Sequence, residues 1–464
     1  MNADKISNID FHERVLNKIG LAPTNQGLLN IANSGGYAAW IDKQLNNPNI
    51  YDDSFIKAKI KDFETERLNN FQLTLKYNSE PPPDQSSIMK EAFQRRAYYS
   101  LYSENRLREM MVWFWFNHFN VYGDSGAFVY LKSFEDIFRN NPFGNFRDIL
   151  QQVIYNPAIL TYADNDLNTK PMLFQNETDI GICDNFARYI LELYTLGEFG
   201  GYTQKDIFSL AEILSGLKSA EEYNFFFSDG SKIYFDELSS FKHKEEYESF
   251  FKKHPEFILT KIFDSYSIFF EEGHVQTDKK FLGNVIKSNN HKEIDESIEI
   301  LALHPNTAKT ICKKLLLFFI GTNHSVALHE KLVRTFISSN GYIKKVLEEL
   351  LFSEEYNFYL FLNTTFKNPY EYYFSTTKMI VNGNLIKDLS FLEEALLNNS
   401  FGIHWKLTPE GYSLIGDDHI SPNNLHHYIN FSQMITNQDI IKNYFGMDKD
   451  KLRYFLISNN WLYK

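Results

Sequence analysis

Asp184, Arg188 and Glu192 recur at spacing i, i+4, i+8 within Cys183–Ile207, CDNFARYILELYTLGEFGGYTQKDI. On a helix that spacing puts the three side chains on one face. Two readings fit it. In one, Glu192 is a general base or ligand and Arg188 orients it or binds an anion. In the other, the alternating signs make a salt-bridge stripe, each ion paired against the cost of leaving water. His118, beside Asn117, closes an apolar run as a base, a metal ligand or a hydrogen-bonded core residue. His274, with Lys279 five residues on, lies in a loop-like stretch and reads as the most exposed histidine of the set. His304 precedes Pro305 just ahead of a helix start, where a ring nitrogen would cap or pair.

Asp164, Asp166 and Asn168 imitate the first ligands of a calcium loop. The sixth position is Thr169 rather than Gly, however, and the twelfth is Gln175 rather than Glu. No cofactor is therefore predicted, with calcium or another metal kept as a minor alternative. His419 with His426 and His427 is a poor metal set, because adjacent histidines on a helix point apart. There is no His-Glu-x-x-His, no paired Cys-x-x-Cys, no Gly-x-Ser-x-Gly and no phosphate-cradling glycine loop. These absences exclude the well-marked zinc protease, zinc ribbon, hydrolase and P-loop classes, but not enzymes without local motifs.

Helices must position these groups. Ile182, Phe186, Ile190 and Leu193 give the signature stretch a helical stripe, with Gly197 as its stop and Thr203 with Asp206 as a capping-box start for the next helix. Upstream, Ser87–Tyr102 and Glu104–Asn120 read as long helices. The second contains MMVWFWF, apolar on every side and so expected at the centre of a core. Near the start, Ala38, Trp40, Ile41 and Leu45 form one apolar face. Pro81–Pro83 marks a loop. Between about 220 and 290 the texture changes. Tyr223–Phe227 and Lys232–Phe235 flank Asp229-Gly230, a hairpin signal, and an amphipathic helix is expected over Lys244–Phe263. The expected fold is mainly α, a multi-helix globular body with a small hairpin-containing insertion. Its segments are 1–80, 85–219, 220–290 and 291–464, packed as one compact unit.

The signature stretch resembles that of the bacterial family known as domain of unknown function 1800. The family shows Asn-Glu-Asn-aromatic-Ala-Arg-Glu, then Glu-Leu-His-Thr-Leu-Gly, then Gly-Tyr-Thr-Gln. Similar matches follow in family order: EMMVWFWFNHFNV over Glu109–Val121, NPAILTYADN over Asn156–Asn165, His274 with Lys279 and Leu282-Gly283, HPNTA over His304–Ala308, and Gly402–Asn430. The resemblance implies a mainly helical fold and brings no assigned reaction. It also implies that Asp164-Asn165, Asn117, His118, Asp184, Asn185, Arg188, Glu192, His274, Lys279 and His304 belong to the family's polar set. The departures fall on that set. Cys183-Asp184 replaces Asn-Glu, Tyr189 the glutamate after Ala-Arg, Tyr194 the histidine before Thr-Leu-Gly, and Val275 and Thr277 an Asp and a Gly.

With 464 residues the chain is long enough to bury a large core without staples. Its net charge of −12 argues against nucleic-acid partners, which require basic patches. Cys183 and Cys312 read as two small hydrophobes rather than a bridge. No run approaches the ~20 apolar residues that span a bilayer. The first residues lack the pattern of a secretory signal, which implies a cytoplasmic protein and leaves non-classical export open. The expected function is an accessory or binding protein with a partly degenerate polar pocket and a protein or carbohydrate partner. The alternative is an enzyme acting through a helix-lined pocket on surface polysaccharide or protein, as the exported, sulfatase-neighbouring members of the family suggest.

Overall fold

The computed structural model describes residues 3–77, 84–171, 181–219, 224–226, 232–234, 244–253, 257–262, 265–360, 365–386, 389–397, 408–437 and 449–464. Pro81–Pro83, Gln175, the Asp229-Gly230 turn and residues 402–407 lie outside them. The fold is mainly α, with three small antiparallel sheets among the described residues. The chain forms two compact units, each drawn from separated stretches. One comprises Met1–Lys61, Phe93–Asn117 and Ile311–Lys464; the other comprises Asp62–Ala92 and His118–Thr310.

In the first unit, Met110–Phe116 of the helix Arg106–His118 is buried throughout, as an all-round apolar run requires. Trp113 stacks on Tyr370 with ring centroids 3.8 Å apart. Trp40, Ile41 and Leu45 are buried as expected, whereas Ala38 is exposed and Tyr37 fills the inner position. At the start of the apolar helix Arg106 is itself buried. Its guanidinium donates to both carboxylate oxygens of Glu104, to the carbonyls of Gly20 and Ala22 and to the Thr24 hydroxyl. Bonding this complete offsets the cost of taking a charge out of water. A Cβ on Gly20 or Gly27 would lie 2.6 and 2.8 Å from this guanidinium, so glycine at both positions makes room for it.

In the second unit, Asn145 and Asn156 cap short helices by accepting amide protons from Arg147 and Ala158. The Asn-Pro-Ala element is thus an N-cap followed by a proline at the first helical position. In the changed-texture region, strands Asn224–Phe226 and Lys232–Tyr234 pair antiparallel, as the hairpin signal implied. The expected helix is shorter than its pattern: it covers Lys244–Lys253, and Phe257–Ile262 is instead a strand. That strand pairs with Ser265–Phe270, whose other edge takes Leu217–Ser219. In the sequence a proline at 255 disfavours helix at the residue before it, and the aromatic and β-branched residues of Phe257–Ile262 favour a pleated, half-buried surface.

Gly27→Ala tests the Arg106 packing. Alanine gains about 1 kcal/mol of helix propensity, but overpacking against a guanidinium held by five bonds costs about 1–3 kcal/mol. Denaturant unfolding should show a net loss; a gain would mean that Arg106 yields freely.

Candidate functional site

The signature does not form a uniform helix. Asn185–Arg188 is one α-helical turn, and Tyr189–Tyr194 continues it as a π-helix. The widened turn carries an extra residue, so its closing groups differ from those of an α-helix. Thr195 donates its hydroxyl to the Ile190 carbonyl at 2.6 Å, and the Gly197 amide reaches back to the Leu191 carbonyl at 3.0 Å. Gly197 sits at φ 85°, the left-handed stop expected of it. Such π turns recur at functional sites. The last carbonyl of the turn, that of Tyr194, is met by His118 Nε2 at 3.1 Å. A carbonyl oxygen only accepts, so His118 must carry its proton on Nε2. Buried and engaged in this way, His118 caps the signature turn instead of offering that nitrogen as a base.

Outside the turn lies a half-exposed polar row. Arg188 donates to Asp184 at 2.9 Å and to Gln204 at 3.0 Å, and lies 3.5 Å from Glu192. Arg188, Asp184 and Glu192 retain 36%, 24% and 33% of their side-chain exposure, so the ions neutralise one another at the surface. Asn185 donates to Asp164 at 3.2 Å, which joins the exposed Asp164 loop to the row. Five predicted residues therefore share one face: Asp164, Asp184, Asn185, Arg188 and Glu192. Gln204 completes it. Two small clefts stand out among the described residues, one lined by Glu371, His419 and Lys464, the other by Arg106, Tyr370 and Lys378. Both belong to the first unit, and no residue of this face lines either.

The remaining candidates go elsewhere. Asn165 is buried and donates to the Leu214 and Leu217 carbonyls. Asp166 accepts from the Ser219 amide, while Asn168 donates to the Ala211 carbonyl and accepts from the Cys183 amide. The calcium-like trio thus points three ways. Burial raises the Asp166 carboxyl above its ordinary range, against the Ser219 amide and Lys218, which lower it. Asn117, in the first unit, clamps Tyr412 by donating to its carbonyl at 2.9 Å and accepting from its amide at 2.7 Å. His304 accepts the Asn306 amide on Nδ1 at 3.1 Å, which is the capping role expected. Burial, and then Lys309, lower its pKa and so favour the neutral ring that this bond needs. His419 bonds the Ser413 carbonyl and His426 bonds Asn430, so the three distal histidines do not converge. Cys183 and Cys312 are free thiols.

His274 corrects the sequence reading most sharply, because it is fully buried rather than exposed. Its Nδ1 lies 2.9 Å from the Ser215 carbonyl and its Nε2 3.2 Å from Glu293, whose other oxygen accepts from Lys279 at 2.6 Å. The exposed reading failed because the counter-charge comes from a different element, the helix Lys292–Ala302. Ser215, His274 and Glu293 resemble a nucleophile relay in composition, yet the hydrogen bonds run the wrong way. Ser215 Oγ donates to the Glu212 carbonyl at 2.6 Å and accepts from the Val275 amide at 3.0 Å. His274 Nδ1 must donate to the Ser215 carbonyl, so it cannot take a proton from the serine hydroxyl. Burial pushes the Glu293 carboxyl up, but bonds from His274, Lys279 and the Asn289 amide outweigh it and hold the group below its ordinary value.

These bonds tie together stretches that are distant in sequence. Asn306 of the His-Pro-Asn-Thr-Ala stretch donates to the Gly200 carbonyl, and Thr310 donates to the Leu196 carbonyl, fixing the glycine turn after the signature. Asp206 completes the Thr203 capping box and also accepts the Leu282 amide at the tip of the hairpin Lys279–Ile286. A sequence profile described as "Protein of unknown function (DUF1800)" matches residues 14–459. The chain belongs to the DUF1800 family. No curated protein and no solved structure matches it. Against the DUF1800 pattern, the two tyrosine replacements have different surroundings. Tyr194 is buried, its ring 5.2 Å from that of Phe119. Tyr189 is half-buried between Tyr162 and Tyr194. Sequence reasoning missed Gln204, Glu293, Ser215 and the exposed Phe199. Only Gln204 carried a signal, as the last residue of the Gly-Tyr-Thr-Gln element.

Glu293→Gln leaves Lys279 buried without its counter-charge. At neutral pH this should cost about 3–5 kcal/mol in denaturant unfolding. Because the folded-state pKa of Glu293 is depressed, its contribution is full above the unfolded value near 4.5 and fades as pH falls below it. The gap between wild type and variant should therefore close in acid; a pH-independent gap would contradict the assignment.

Proposed function

We propose that this chain is an accessory, binding protein that acts through its signature face, not an enzyme that works in a pocket. One observation carries the reading: His118 and His274, which an acid–base site would use, are buried and bonded to main-chain carbonyls, while the ionic row lies apart from them at the surface. General acid–base catalysis needs a proton-transferring group within hydrogen-bond reach of the substrate. Tyr189 and Tyr194 support the reading further, since they keep bulk and a hydroxyl where the family carries a carboxylate and an imidazole. The row and the exposed turn beside it have the character of a contact surface: paired polar groups at the rim and an aromatic side chain free to be covered.

Glu192→Gln separates binding from catalysis. At this half-exposed position the variant should lose less than about 1 kcal/mol of stability. Purified wild type and variant, incubated with surface polysaccharide and with protein substrates, should yield the same product masses as buffer alone. A product made by the wild type and absent with the equally folded variant would restore the enzyme reading.

A further inference from the structure

The helix Val326–Ser338 of the first unit is held at both ends and open to solvent along one side. Leu328, Leu332 and Phe336 are buried on its inner side. At its start the Ser325 hydroxyl accepts the Leu328 amide, and Glu355 in turn accepts both the amide and the hydroxyl of Ser325. Past its end the Gly341 amide closes on the Phe336 carbonyl at 2.8 Å. Outward the helix presents Val326, Glu330, Arg334 and Ile337. At about 100° per residue these four fall within roughly 80° of arc, so they form one stripe. The Glu330 and Arg334 side chains are 64% and 69% exposed, and Val326 and Ile337 are 74% and 48% exposed.

The stripe reads apolar, acid, base, apolar, and read backwards it complements itself. Two such helices running antiparallel about a twofold axis beside Leu332 set Glu330 against Arg334 twice and Val326 against Ile337 twice. Parallel alignment would instead set Glu330 on Glu330 and Arg334 on Arg334. A closed twofold contact requires a self-complementary patch of this kind. Within one chain Arg334 lies 3.8 Å from Glu330, a loose contact between two exposed groups. The neighbouring Lys331 is paired with Glu349, so this side of the helix carries no surplus charge to hold two copies apart. The net charge of −12 opposes association only at longer range, and salt screens it beyond about 8 Å under physiological conditions. Phe358, 60% exposed, adds apolar surface on the helix Glu354–Tyr359, whose Glu355 holds Ser325.

We propose that this stripe is a homodimer contact: a second copy of the chain docks antiparallel on Val326–Ser338, through two Glu330–Arg334 bridges flanked by Val326 and Ile337. The inference is independent of the signature face, which belongs to the other unit. A helix of 13 residues covers less than the ~800 Å² per partner of a standard interface, so the dimer is weak and reversible. Charge reciprocity fixes its orientation, since the opposite alignment meets repulsion at both bridges.

The test is sedimentation velocity of the full chain from about 1 to about 100 μM, the range in which weak dimers form. A monomer–dimer equilibrium is expected for the wild type. Glu330→Arg alone and Arg334→Glu alone should each weaken it at least about tenfold, because each sets like charges across the axis. Both substitutions lie on the exposed side of the helix, so circular dichroism should show folded protein. An equimolar mixture of the two single variants should recover a dimer that neither forms alone. The double variant Glu330→Arg/Arg334→Glu should recover a dimer by itself. A wild type that stays monomeric throughout overturns the proposal. So does a dimer indifferent to the single reversals, or a mixture of the two variants that does not associate.

Discussion

The hydrogen bond from His118 to the Tyr194 carbonyl is the interaction on which the signature face depends. The end of the π turn, like any helix end, leaves carbonyls without intrahelical partners, and a buried carbonyl left unmatched costs about 1–3 kcal/mol. His118 meets one such oxygen, the Thr195 hydroxyl a second and the Gly197 amide a third. With those three in place the turn can stay wide, and Glu192 emerges beside Arg188 and Asp184 of the α-helical turn before it. Other buried polar groups of this unit are matched in the same way. Asn165 and Asn168 bind carbonyls, and His274, Lys279 and Glu293 satisfy one another.

The family stretches make sense as fasteners around one turn. His304 and Asn306 begin a helix and reach the Gly200 carbonyl; Asp206 starts another and holds the Leu282 amide. Asn156 and Asp164 frame the loop that touches Asn185. Sequence features scattered over more than a hundred positions therefore converge on the geometry of a surface.

Much of this was legible in the residues. The Thr203 and Asp206 pair forms a capping box, Gly197 adopts the left-handed stop, and Met110–Phe116 is buried, because each of these depends on local chemistry. The π turn was not legible. It differs from an α turn by a single residue, and no side chain within it marks the change. His274 looked exposed because burial of an imidazole depends on a tertiary partner, and Glu293 belongs to another helix. The strand Phe257–Ile262 was hidden by the amphipathic pattern that precedes it, and Phe199 by the ordinary expectation that a phenylalanine faces inward.

His118 and His274 are buried and bonded within the protein. Modification of the native protein with diethyl pyrocarbonate, mapped by peptide mass spectrometry, tests it directly. His426, exposed on its helix, should react readily, while His118 and His274 stay unmodified until the protein unfolds. Modification of His118 at the rate of His426 in folded protein would contradict the account.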